Sequence, residues 1–329
     1  MKSDSKDKII DFIKKNGKAR PAELIHLLNI SPVAVQKHLR ELSEKGLLKK
    51  AGKPPLVYYL LAAVSEPTFR PHLSEESTCY LDAHYSYVTS DGTFISGVDG
   101  FSLWLSKTSQ VKYAESLARE YSQIHREAET FRMPEGWIEG IQKFQTTFPK
   151  NFLDQVYYQD FYSLPKFGRT RLGHELLLAK QAQDKPLIQT MGKKILPTLE
   201  KIIQKNKINA IAWTPHSIPR KIPFLKELRR SLNLGLSEVS VVKAFTGDLP
   251  VAQKSLSKLE DRIENARNST FIHSINPTQT RILVIDDAVG SGATLNEIAA
   301  KLRNYPFVKF IAGFVLVGSY KGFEVIKEV

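Results

Sequence analysis

The sequence predicts an α/β protein led by a small helical domain that ends in a hairpin. Three observations predict it. Apolar residues recur at helical spacing through the first part of the chain and then pass into two short extended runs. From about residue 187 onward, apolar strands alternate with amphipathic helices, the pattern of a parallel sheet covered on both faces. The 329 residues are 42% hydrophobic and 25% charged, an ordinary globular composition with length for two or three domains.

Several classes are excluded at the outset. The longest apolar run, Phe310 to Gly318, falls well short of the roughly 20 residues of a membrane-spanning helix. It reads as a buried strand, and no membrane partner is expected. The opening MKSDSKDKII lacks the apolar core of a signal peptide. Cys79 is the only cysteine, so neither an internal disulfide nor a zinc ribbon is expected, which fits a reducing, cytoplasmic setting. The net charge of +13 is unevenly spread. Residues 1–65 hold 13 basic and 6 acidic side chains, a local +7 that leaves only +6 for the other 264. A basic end of this kind suits a polyanion partner; a solvated surface would read the same from charge alone.

The N-terminal elements follow in order. Ile9, Ile10, Phe12 and Ile13 mark a helix over 5–15 that stops at Asn16-Gly17. Pro21 opens a short second helix carrying Leu24, Ile25, Leu27 and Leu28. Ser31 caps a third, from Pro32 to Lys45, which buries Val35, Leu39 and Leu42. Val33, Gln36, Lys37 and Arg40 stay near its exposed start. Leu47 to Lys50 and Leu56 to Leu61 read as two strands around the turn Gly52-Lys53-Pro54-Pro55. Three helices and a two-stranded wing make a winged helix-turn-helix. The stretch LNISPVAVQKHLRELSEKGLLKKAGKPPLVYYLL resembles the DNA-binding domains of DeoR-like and ArsR-like regulators. The resemblance implies duplex DNA as partner, read by the third helix through Ser31, Val33, Gln36, Lys37 and Arg40. It places the wing lysines Lys49, Lys50 and Lys53 on phosphates. A winged helix used for dimerisation or protein docking is the alternative.

Domain boundaries are expected near 1–62, 63–154 and 155–329. Between Tyr80 and Phe167, across the middle part and the start of the third, lie 18 of the 32 aromatic residues, too many for a flexible tether. A hairpin is expected at Tyr85–Val88 and Thr93–Ile95, with helices over 109–130 and 135–148. His72, Cys79, His84 and His125 follow no metal-ligand spacing.

In the C-terminal part, a helix over 187–205 leads to a strand at Ile208–Trp213, a helix near 223–233 and a strand at Glu238–Lys243. After a polar segment, 246–270, come a strand at 281–286, a helix from Thr294 to Asn304 and a strand at Val308–Val317. Ligands of such sheets sit at the carboxyl ends of the strands. Asp286 and Asp287 end one strand, and Ala288, Val289, Gly290, Ser291, Gly292, Ala293 and Thr294 lead into the next helix. Backbone N–H groups and hydroxyls there form an anion cradle. No Gly-Lys-Ser/Thr closes the loop as in a Walker motif, and a dinucleotide fingerprint would place its acid downstream.

ILVIDDAVGSGAT resembles the 5-phosphoribosyl-1-diphosphate (PRPP) motif of type I phosphoribosyltransferases. That resemblance implies Asp286 and Asp287 on ribose hydroxyls, residues 288–294 around the 5′-phosphate, and Mg²⁺ carried by PRPP rather than held directly by the protein. It assigns the diphosphate to the loop holding His216, Ser217, Arg220 and Lys221. AQKSLSKLEDRIENARNSTF resembles the flexible loop of the competence protein F (ComF) branch, with Gln253, Leu256, Arg262, Asn265 and Phe271 at similar spacing and Arg262 as its anion partner. The zinc ribbon of that branch is missing, as is its Arg-Gly-Phe-Asn segment. The expected function is a DNA-binding transcription regulator with PRPP or a nucleotide as effector, acting as a homodimer on two half-sites. The alternative is an active phosphoribosyltransferase that transfers the phosphoribosyl group to a nitrogen nucleophile.

Overall fold

A computed structural model describes residues 5–61, 69–90, 92–216, 220–245 and 255–320, without the side chain of Lys53. The chain divides into two units, Met1–Thr68 and Phe69–Val329.

In the first unit, α1 (Ser5–Asn16), α2 (Pro21–Leu28) and α3 (Pro32–Glu44) precede β1 (Leu48–Lys53) and β2 (Leu56–Leu61). The Ser31 hydroxyl accepts the Ala34 N–H and so caps α3. The strands pair antiparallel, and Ala19 exchanges both backbone hydrogen bonds with Tyr59, adding a third partner to the wing. Ile9, Ile13, Leu24, Val35, Leu39, Leu42 and Leu48 form a core of their own. A core this small has little reserve. Leu39→Ala is expected to cost about 2–5 kcal/mol, enough to melt the winged helix. All three tryptophans lie in the second unit. Circular dichroism should therefore lose helical signal at a temperature where tryptophan fluorescence still reports a folded partner unit. A single shared transition at the wild-type temperature would count against this packing.

The second unit opens with α4 (Glu75–His84), the hairpin β3 (Ser86–Val88) and β4 (Phe94–Ser96), α5 (Gly97–Lys107) and α6 (Ala114–Glu129). Then come β5 (Ile138–Glu139), α7 (Ile141–Thr147), β6 (Gln155–Phe161), the small pair β7 (Ser163–Leu164) and β8 (Gly168–Arg169), α8 (Arg171–Ala182) and α9 (Lys185–Lys205). The chain continues through β9 (Ala210–Trp213), α10 (Phe224–Leu232), β10 (Ser237–Lys243), α11 (Leu259–Ser269), β11 (Thr270–Ser274), β12 (Arg281–Val289), α12 (Ala293–Leu302) and β13 (Phe310–Gly318).

Seven of these strands form one sheet in the order β11-β10-β9-β12-β13-β6-β5. Its middle is parallel, but both edges, β11 and β5, run antiparallel, so the expectation of a purely parallel sheet is corrected to a mixed one. Edge strands are short and half-solvated, and their sequences lack the continuous apolar run that marks the interior. Along β12, Ile282 and Val284 face one core while Leu283 and Ile285 face the other. Helices α8, α9 and α10 cover the second face; α11, α12 and the α4–α7 region cover the first. Residues 69–154 therefore share their core with the sheet, and Phe101, Leu117 and Tyr121 are buried there alongside Phe161 and Phe167.

Other differences concern boundaries. The expected strand 281–286 extends to Val289, because Ala288 and Val289 continue the ladder with Val317 and Gly318. Helix α12 begins at Ala293, so the turn proper is only Gly290–Gly292. Within the polar segment, 259–269 is helical and 270–274 a strand; residues 246–254 lie outside the described residues.

Candidate functional site

A cavity of about 250 Å³ opens at the carboxyl ends of β9 and β12, and all residues from Asp286 to Thr294 line it. The sharp turn onto α12 depends on Gly292, whose φ is +85° and whose missing Cβ would stand 2.6 Å from the Phe144 ring. Lys143 Nζ donates to the Gly290 carbonyl at 2.9 Å. Ser291 is buried and its Oγ accepts the Ala293 N–H at 3.3 Å, so this hydroxyl holds the turn together. Asn296 accepts the Phe152 N–H and donates to the Lys150 carbonyl, fixing the first turn of α12 against the preceding segment.

The acid pair occupies the floor. Asp286 Oδ1 accepts the Thr214 hydroxyl at 2.7 Å and the Asp287 N–H at 2.8 Å. Burial first, and then the adjacent Asp287 carboxylate, push the Asp286 carboxyl well above the ordinary carboxylate range. Asp287 Oδ1 stands 3.2 Å from Lys180 Nζ of α8. Lys243, at the end of β10, is held below its usual value by burial, against a smaller attraction from Asp286. Asp286 is half-buried and lines the cavity.

The loop after β9 contributes unevenly. His216 and Arg220 line the cavity, Lys221 is exposed and does not, and Ser217 lies outside the described residues. The Arg220 guanidinium donates to the carbonyl of Lys180. Arg262 also lines the cavity, yet from a helix rather than a flexible loop. It is only 5% exposed, its Nε donates to the Leu256 carbonyl at 2.8 Å, and burial lowers its pKa. Of the other residues matched to the ComF pattern, Asn265 is half-buried, Phe271 is exposed beneath Lys301, and Gln253 lies outside the described residues. The opposite wall of the cavity is apolar, from Tyr162, Leu176, Leu177 and Phe224. Lys180 and this wall escape sequence reasoning, because α8 carries no motif and Lys180 precedes Asp287 by 107 residues.

Among the described residues no three His, Cys, Asp or Glu side chains gather where they would share a metal ion. His84 and His125, far apart in sequence, do meet, with rings 4.6 Å apart, and Tyr80 Oη lies 3.0 Å from His125 Nδ1. Burial first, then His84, lowers the His125 pKa to about 4. Cys79 is exposed and belongs to no such group.

On the winged helix, Val33, Gln36, Lys37 and Arg40 share the exposed face of α3, and Val33 is 79% exposed. Arg40 Nε lies 3.6 Å from Glu44. Lys49 and Lys50 are exposed on β1. The Lys18 and Arg20 head groups each sit 4.8 Å from the Tyr58 ring centre, a basic cluster that helical periodicity alone does not reveal. Among the described residues no helix is long and apolar enough to cross a membrane.

No curated protein matches the chain. Among solved structures it is similar to a hypoxanthine phosphoribosyltransferase from Staphylococcus aureus, at 16% identity, over 42% of this chain and 69% of that one, with a TM-score of 0.25. So weak a likeness leaves the α/β unit to be judged on its own geometry. Residues 3–49 match the winged helix-turn-helix DNA-binding family, and the chain thus carries an N-terminal winged-helix DNA-binding domain.

Proposed function

We propose that this chain is a transcription regulator whose α/β unit takes PRPP or a related nucleotide as effector. One observation carries the reading. The same chain that bears a winged-helix DNA-binding domain places two adjacent carboxylates near the end of a strand, shortly before a tight turn onto a helix N-terminus. The carboxylates suit vicinal hydroxyls, and the turn and the first N–H groups of α12 suit a phosphate. Arg220 and Arg262 supply further cationic partners for a polyanionic ligand. The ComF-like pattern adds support at Arg262, which lines the same cavity.

The acid pair and its flanking arginines also suit catalysis, which keeps a second reading in play. In that reaction a nitrogen nucleophile attacks C1 of PRPP and diphosphate leaves with its bonding electrons. A titration of the full chain with duplex DNA, with and without saturating PRPP, separates the two. A sensor is expected to change DNA affinity by about 5–150-fold, and DNA must change PRPP affinity by the same factor. Unchanged DNA affinity together with base-dependent diphosphate release would reject the sensor in favour of the enzyme.

A further inference from the structure

We infer that Lys180 is a built-in counter-ion that lets this pocket take a phosphoribosyl ligand without a divalent cation. The inference rests on the phosphoribosyl reading of the site and departs from the magnesium expected of a PRPP ligand.

The first observation is geometric. Lys180 Nζ lies 3.2 Å from Asp287 Oδ1, and each side chain is only 20% exposed. A pair so shielded keeps most of its attraction in physiological salt, unlike an ion pair in open solvent. The ammonium therefore stands beside one of the two carboxylates that the ligand's anionic groups would face. An ammonium carries three donors, so it can serve a carboxylate and a ligand oxygen together.

The second observation is how this ammonium is held. Lys180 sits in the last turn of α8, where the helix dipole favours a cation. Its own carbonyl accepts the Arg220 guanidinium. Three residues on, Gln183 Oε1 accepts the Ile222 N–H at 2.8 Å. The end of α8 thus fastens the loop after β9 and the acid pair to one short stretch of chain. Lys180 is a positioning residue for Asp287 and, through its carbonyl, for Arg220.

The third observation is the charge balance. Among the described residues, the charged side chains lining the cavity are Lys180, Arg220 and Arg262 against Asp286 and Asp287. A phosphorylated ligand meets a net positive surface before any metal arrives. Without Lys180, Asp287 would lose the ammonium 3.2 Å from it, and the positive excess that meets a phosphorylated ligand would shrink.

The test is calorimetry of PRPP binding to the full chain, in EDTA and in excess Mg²⁺. Wild type is expected to bind in both buffers with dissociation constants within about threefold of each other. Lys180→Met is expected to bind about tenfold or more weakly in EDTA and to recover much of the loss in Mg²⁺. Lys180→Arg keeps the charge and should remain metal-independent; circular dichroism of both variants confirms that they fold. Wild-type affinity that rises about tenfold or more on adding Mg²⁺ would overturn the inference while leaving the phosphoribosyl site standing. So would a Lys180→Met protein whose ratio of affinities in the two buffers matches wild type, since a merely structural lysine would not move that ratio. Absence of PRPP binding by wild type in both buffers would overturn the phosphoribosyl reading itself, and the inference with it.

Discussion

Replacing Asp286 and Asp287 together by Asn is expected to weaken PRPP binding by about 100-fold or more, since each carboxylate stands to lose a charge-assisted hydrogen bond of about 1.5–3 kcal/mol. The same change is expected to leave the fold intact. The amide oxygen of an asparagine at position 286 can still accept the Thr214 hydroxyl and the N–H of residue 287, the two hydrogen bonds that hold the carboxylate in place. Asp286→Asn by itself should even raise stability at neutral pH. The Asp286 pKa is raised in the folded protein, so the folded state holds this proton more tightly than the unfolded chain. Its contribution favours folding at low pH and turns against folding as pH climbs through the carboxylate range and up to the raised pKa. Asp286→Asn alone should therefore melt above wild type at about pH 8, by roughly 2–4 °C, with the gap closing toward about pH 5. Calorimetry with PRPP and thermal scans at the two pH values check both halves. Equal PRPP affinity in mutant and wild type would remove the site assignment, whatever the melting temperatures show.

The second large effect concerns DNA. Affinity of the full chain for duplex DNA is expected to fall steeply with salt, because each phosphate contact releases counterions and adds about 0.9 to the log–log slope. Lys49 and Lys50 are exposed on the wing. Lys49→Gln with Lys50→Gln should lower the slope by about 2 and weaken all duplexes alike. Gln36→Ala and Arg40→Ala, on the exposed face of α3, should instead alter preference among sequences, by about 1–3 kcal/mol for each base edge that is no longer read. Fluorescence anisotropy across a salt series measures the first, and selection from a randomised duplex pool the second. A slope that ignores the wing lysines would move the phosphate-binding surface elsewhere, with Lys18 and Arg20 around Tyr58 the nearest alternative.

The contrast between Asp286 and Lys180 shows what a linear chain discloses. The winged helix is legible because its information is local. Capping by Ser31 and the spacing of Val35, Leu39 and Leu42 act within a few residues, and they meet in the structure as read. The interior strands are legible too, since a strand buried on both faces must be apolar throughout. The acid pair and the small-residue turn stand out for a related reason: paired carboxylates at the end of an apolar strand have no packing role.

What lies outside reach is whatever depends on elements far apart in sequence meeting in space. The edge strands β5 and β11 gain their hydrogen bonds from neighbours that no local pattern names. The aromatic residues of 80–167 announce a core but not its partner, which proves to be one face of the sheet. The polar segment around Arg262 reads as a flexible loop; a helix presents this arginine from a nearly buried position instead. Lys221 follows Arg220 in the sequence but turns outward, since neighbouring residues on a loop need not share a direction. By itself, then, the sequence determined the DNA-binding fold, the sheet's interior and the acid-pair turn, because each is encoded by short-range periodicity, capping and charge. Only the tertiary structure decided which cations stand beside those acids. Lys180 reaches Asp287 from 107 residues away because α8 packs on the sheet face that opens into the cavity, and that placement belongs to the packing of layers rather than to any stretch of chain.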